Sequence, residues 1–318
     1  GDKVNGVQAT AARIPDSGVV SLMTLWRDQA CAPFDAGVRC WGSGENGRLG
    51  NGGVLSSRWA VDVIVDLGPS LFSVIAAGDD HTCGLIPALG REGCWGKNSS
   101  GQLMTGSFDD RISVIATSNL LASLFVRGAT GCGTLGVTTG CWGGGSDGQL
   151  GADAGFIVGS PVPIFVADSD AGLTSTMGIG LRHVCRLTQL GVVECWGRGS
   201  ECEIGLCGDS ALPVRVGNVQ NAVSLVVGDA HSCVVRDGGA VRCWGKDSNG
   251  QLGYGDAGLG MASAVQPIGL DAGVAELALG SNHSCARMSD GGGVRCWGNN
   301  SVGQVGTGVV GGNVLTPT

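Results

Sequence analysis

The chain has 318 residues, 43% of them hydrophobic and 14% charged, with a net charge of −8. So large an apolar share with so few charges excludes a disordered chain, and scattered single lysines and arginines exclude the basic face that binds nucleic acid. No apolar run approaches the roughly 20 residues of a membrane helix, and the sixty glycines show no collagen-like period of three.

From the N-terminus, no charged and apolar leader opens the sequence, so any export signal is expected to have been removed or to lie outside it. Ala12-Arg13-Ile14 reads as a short strand, and Trp26 follows at a position where later copies carry glycine. Cys31 and Cys40 then flank a turn, and Cys40 opens the tripeptide Cys-Trp-Gly. That tripeptide recurs at Cys94, Cys141, Cys195, Cys243 and Cys296, at intervals of 54, 47, 54, 48 and 53 residues. A fixed period of this length is the mark of one structural unit repeated about an axis.

Each tripeptide cysteine has a partner nine to eleven residues upstream, giving Cys31/Cys40, Cys83/Cys94, Cys132/Cys141, Cys185/Cys195, Cys233/Cys243 and Cys285/Cys296. The intervening segments are turn-like, as in Arg236-Asp237-Gly238-Gly239, so each pair is expected to face across a hairpin as a disulfide. Cys202 and Cys207 make a seventh pair, an extra clip in the loop after the fourth tripeptide. Structural zinc is the competing reading, but the close two-residue cysteine spacing and a histidine pair at ligand spacing are both absent. Seven disulfides imply a secreted, cell-surface or periplasmic protein.

Between the pairs, Arg58 and Trp59 lie in a connecting segment outside the pattern. One unit reads from Leu212 to Tyr254, opening on Pro213-Val214-Arg215-Val216 and continuing through Ala222 to Val227, His231 to Val235 and Ala240 to Gly245. These short β-branched segments with turns between them are strand grammar, four strands to a unit, as in a propeller blade. After Cys296, 22 residues remain, and 30 precede Cys31. Joined, they make one connection with about ten residues to spare and no room for a seventh blade. The expectation is an all-β propeller of six blades of four antiparallel strands in one domain over 1–318, with seven blades as the alternative. The N- and C-terminal segments, Ala12-Arg13-Ile14 and Leu315-Thr316-Pro317-Thr318, are expected to meet in one blade.

The repeat resembles that of the regulator of chromosome condensation family. The matching residues are the Gly…His-Ser/Thr-Cys strand, the Asp-Gly turn, the Cys-Trp-Gly strand end, and a closing turn such as Gly148-Gln149-Leu150-Gly151. The fourth copy departs with Cys202-Glu203-Ile204-Gly205. The resemblance implies the propeller fold, and disulfide-bearing repeats of this kind look bacterial and exported. The family's nuclear role does not carry over to an acidic, oxidised chain.

No catalytic set emerges: there is no Gly-x-Ser-x-Gly elbow and no phosphate loop. His81, His183, His231 and His283 stand at equivalent repeat positions, with Gln29 and Thr130 in the other two copies, so hydrogen bonding to backbone between adjacent blades is expected rather than a metal ring. Asp-Ala-Gly recurs without gathering carboxylates for calcium. Neither cofactor nor metal is expected. Trp26, Arg58, Trp59 and Tyr254 are the candidate contact surface, since Trp, Tyr and Arg dominate binding hot spots. The functional expectation is a non-catalytic scaffold for an unknown protein partner. The alternatives are a homo-oligomeric surface filament or layer built through a terminal strand, and a lyase or hydrolase at a channel mouth.

Overall fold

The computed structural model describes residues 23–26, 28–34, 37–65, 72–117, 119–153, 155–167 and 172–318. Among these there is no α-helix, and the strands form six four-stranded antiparallel sheets, the blades of a six-blade propeller. Blades one to six span 24–62, 74–117, 125–165, 174–215, 222–265 and 274–314. By contacts the chain falls into two compact units, 1–144 with 158–164, and 145–157 with 165–318.

Blade five shows why this sequence makes a blade. Its strands are Ala222–Val227, His231–Arg236, Val241–Asp247 and Gly258–Val265, paired in that order. Cys233 faces Cys243 directly across the hairpin. The two form a disulfide with a Cα separation of 4.1 Å, the close spacing of an antiparallel pair. Cys31–Cys40, Cys83–Cys94, Cys132–Cys141, Cys185–Cys195 and Cys285–Cys296 repeat this arrangement, and Cys202–Cys207 closes the extra loop. None of the cysteines is free.

The sequence-based phase of the repeat needs correction. Pro213 and Val214 lie in Ser210–Arg215, the closing strand of blade four, whereas blade five opens at Ala222. Proline lacks the N–H that an interior strand must donate, and Ser210–Arg215 is an edge strand where that loss is tolerated. The C-terminal segment obeys the same rule. Asn313 and Val314 pair with the Cys-Trp-Gly strand of blade six, and Thr318 exchanges both backbone hydrogen bonds with Cys296. This segment therefore completes the sixth sheet, and Ala12-Arg13-Ile14, its expected partner in one blade, lies outside the described residues.

Candidate functional site

The residues that recur in every blade are bound to one another. The indole N–H groups of Trp95, Trp142, Trp196, Trp244 and Trp297 donate to the carbonyls of Arg48, Gln102, Gln149, Glu203 and Gln251 at 2.8–3.2 Å. All five side chains are fully buried, whereas Trp41 is half-buried. Burying such an indole stabilises by on the order of several kcal/mol.

The histidines reach hydroxyls. His183 Nε2 lies 3.1 Å from Ser232 Oγ, and His231 Nε2 lies 2.9 Å from Ser284 Oγ, each on the following blade. Gln29 does the same toward Thr82, at 2.7 Å, while Thr130 turns to the Gly144 carbonyl of its own blade. Gln29, His183 and His231 thus link adjacent blades through side-chain hydroxyls of the next blade, where backbone was the expected partner. His81 differs. It is fully buried, neither ring nitrogen has a hydrogen-bond partner among the described residues, and burial pushes it down to about 4. The hydroxyl position facing it is Gly131, where a Cβ would stand 2.5 Å from the Trp142 ring. No Ser fits there.

The repeated glycines answer to the same packing. A Cβ on Gly78, Gly180, Gly228 or Gly280 would collide with the imidazole of His81, His183, His231 or His283. The glycine is therefore cleared for the histidine ring of its own blade. In blade one the matching pair is Trp26 and Gln29, which are register partners. The Trp26 side chain lies outside the described residues.

The departures from the repeat are the exposed and the chemically odd positions. Trp59 is 44% exposed on Ser57–Asp62, the edge strand of blade one, with the Arg58 guanidinium 5.3 Å from its ring centroid. Close by in sequence or register, Ile64 and Ile112 are also exposed, both against the loop at Gly52 that bonds the Ile112 carbonyl. Exposed large apolar side chains recur on the other edge strands, at Phe165, Leu212 and Leu259. Tyr254 belongs to the other unit. It is half-buried in the second unit, packs on the core around Leu252 and Trp297, and is engaged with Asp247.

Two residues were not singled out by sequence reasoning. Asp247 is fully buried at the end of a strand, and burial pushes its carboxyl up to about 6. Glu203 is buried in the disulfide-clipped loop and is also raised by burial. An internal alignment sets Asp247 against Asn98 and Asn300 of blades two and six, and Glu203 against Gln102, Gln149, Gln251 and Gln304. Among the described residues no three His, Cys, Asp or Glu side chains gather to hold a metal. A cavity of about 310 Å³ in the second unit is lined mainly by Leu190, Val193, Val216 and Val219, with Arg215 at its wall.

Against known proteins, the regulator of chromosome condensation (RCC1) repeat matches residues 222–251 and 274–304, the first three strands of blades five and six with most of the turns that follow. Prp20p of Saccharomyces cerevisiae, a yeast RCC1 studied for its binding to Gsp1p and histones, superposes with a TM-score of 0.74 at 18% identity, over 93% of this chain and 75% of Prp20p. Human WBSCR16 gives 0.71 at 18% identity, over 85% of this chain and 72% of its own. The CRINKLY ectodomain of the Arabidopsis thaliana receptor kinase ACR4 gives 0.51 at 17% identity, over 93% and 82%. At such identities these similarities establish the fold, and fold does not fix function. The chain is thus a β-propeller of blades with buried tryptophans and facing cysteines, and its residues 222–251 and 274–304 match the regulator of chromosome condensation repeat.

Proposed function

We propose that this protein is a non-catalytic propeller of an oxidising, extracytoplasmic compartment that binds a protein partner through its edge strands. The observation that carries the reading is the Arg58–Trp59 pair: a stacked guanidinium and indole exposed on an unpaired sheet edge of a unit that also exposes Ile64 and Ile112. Stacked Arg and Trp with apolar neighbours are the composition of a binding hot spot. Seven disulfides favour export to the bacterial surface or beyond, and a single propeller over both units is the domain organisation this reading takes. The nuclear partners of Prp20p are not carried over. A photo-cross-linking residue placed at position 59 should capture a partner on the source cell that the same residue at the exposed Val137 does not. Equal capture from both positions, or from neither, contradicts the assignment.

A second reading, self-association, is favoured by blade six. Val294 is 63% exposed, whereas its counterparts Val193 and Val241 are fully buried. Cys285 and Cys296 are half-buried, whereas the other ten hairpin cysteines are fully buried. A second copy covering this face through a different face of its own would make a heterologous, chain-forming contact. Light scattering across a hundredfold concentration range, with Val294→Glu as the control, tests it. A mass that stays monomeric throughout removes this reading and leaves the first intact.

A further inference from the structure

Two carboxyls in neighbouring loops of the second unit stand where sister repeats carry amides: Glu203 where four repeats have glutamine, and Asp247 where blades two and six have Asn98 and Asn300 and the other three have Gly44, Gly145 and Gly199. In blade two, Asn98 Oδ1 accepts the Leu103 N–H at 2.9 Å, and its amide donates to the Ser107 carbonyl at 2.8 Å and the Thr105 hydroxyl at 3.3 Å. In blade six, Asn300 repeats this toward Val305, Val309 and Thr307 at 3.1, 2.8 and 3.5 Å. The amide closes the loop by holding the carbonyl nine residues on. In blade five the same place is Asp247. Its Oδ1 accepts the Leu252 N–H at 2.9 Å, but its buried Oδ2 has no hydrogen-bond partner among the described residues. Tyr254 replaces the threonine, and the carbonyl at the closing position belongs to Asp256.

A carboxylate only accepts, so it cannot make the bond that the asparagine amide makes; a neutral carboxyl has one O–H and can. Blade four carries the companion change. Gln102, Gln149, Gln251 and Gln304 each accept, through Oε1, the N–H two residues before them, at 2.8–3.0 Å. Glu203 takes that bond from Glu201 with a carboxylate oxygen at 2.7 Å. Its loop abuts the end of the Asp247 strand, since a Cβ on Gly245 would lie 3.4 Å from the Glu203 Cα.

We propose that Asp247 is an acid-responsive latch: when neutral it donates to the Asp256 carbonyl and closes loop 248–257 as Asn98 and Asn300 close theirs, and when ionised it loses that bond and keeps only the Tyr254 hydroxyl as its side-chain partner in the loop. The loop in turn holds the C-terminal segment of blade six, because the Gly255 N–H donates to the Leu315 carbonyl at 3.1 Å and the Leu315 side chain packs on Gly250. Acid would therefore tighten the end of blade six through blade five. The titratable groups facing Asp247 are Tyr254 and Asp256, and those facing Glu203 are Glu201 and Arg198. The Gly311–Thr318 stretch packed on the loop carries no ionisable side chain. Burial raising both carboxyls agrees with the geometry.

Hydrogen exchange of the Leu252 and Gly255 amides tests this in the intact chain, with rates corrected for the intrinsic pH dependence of exchange. Between about pH 7 and pH 5 the protein should gain about tenfold protection there, while Asp247→Asn should be protected at both. Carbon-13 titration of the Asp247 carboxyl in the unmodified protein keeps the test open even if the variant does not fold. A midpoint below about 4.5 overturns the latch. So does equal exchange in the two proteins at neutral pH. Protection at neutral pH on adding millimolar calcium, lost in Asp247→Asn, would make the site a cation site and likewise overturn it.

Discussion

His231 Nε2 sits 2.9 Å from Ser284 Oγ, joining blade five to blade six, and that hydroxyl in turn donates to the Gln251 carbonyl at 2.9 Å. The same carbonyl accepts the Trp297 indole N–H at 2.8 Å. With its one proton committed to Gln251, Ser284 Oγ must accept from the histidine, so His231 carries its proton on Nε2. One carbonyl thus collects the tryptophan and serine of the next blade.

Removing the hydroxyl should therefore cost more than one ordinary hydrogen bond. Ser284→Ala leaves the His231 N–H buried without its acceptor and should destabilise by about 1–3 kcal/mol. Denaturant unfolding with an unchanged slope would measure it. A loss within error would show that the bond is not formed in solution.

Gly228 is the clearest glycine. A Cβ there would lie 2.8 Å from both the Gly280 carbonyl oxygen and the His231 ring. Because backbone and a buried ring both resist displacement, Gly228→Ala should cost about 1–3 kcal/mol or more. Gly136, which has φ of +64° but open space around it, should cost less on the same substitution.

His81 and Asp247 should oppose each other as pH falls. His81, held down to about 4, stays neutral when folded. Its contribution is full above the unfolded value near 6.5 and is lost as pH falls from there toward 4, by on the order of 3 kcal/mol. Asp247, raised to about 6, binds its proton earlier in the folded state. Stability from that source is full below about 3.8 and is lost as pH rises through 6, by on the order of 2–3 kcal/mol. The intact protein should then show a shallow pH profile over this range. Asp247→Asn should steepen the acid loss, and His81→Gln should leave stability rising toward acid. Thermal midpoints from about pH 4 to 7 give all three curves; parallel curves would contradict the assignment.

The disulfides should differ in their resistance to reduction. Ten hairpin cysteines are fully buried, whereas Cys285 and Cys296 are half-buried and Cys207 is accessible at its loop. Because exchange requires a thiolate to reach the sulfur, mild reductant should open Cys285–Cys296 and Cys202–Cys207 before the other five. Timed alkylation with peptide mapping gives the order, and uniform reduction would show that the hairpins open together.

The frame was legible because it repeats. The pairing of Cys233 with Cys243 follows from a turn between two cysteines, and the burial of Trp244 follows from its return in every unit. The phase was not legible, since Pro213 and Val214 suit an opening strand as well as a closing one; only the unpaired edge distinguishes them. The hydroxyl partners of His183 and His231 were hidden because they lie a full repeat away, at Ser232 and Ser284. Trp59 was visible as a departure, and Tyr254 was too, but an aromatic letter does not say whether the ring faces solvent or a buried carboxyl. Asp247 differs from asparagine by one letter, and its meaning depends on a carbonyl nine residues on.

The central claim is that each Cys-Trp-Gly unit is a disulfide-closed blade, and intact mass tests it most directly. Protein from its natural source, treated with alkylating agent without reductant, should take up no label, and reduction should add fourteen hydrogens for its 14 cysteines. A labelled cysteine before reduction, or a smaller mass gain after it, would contradict the claim.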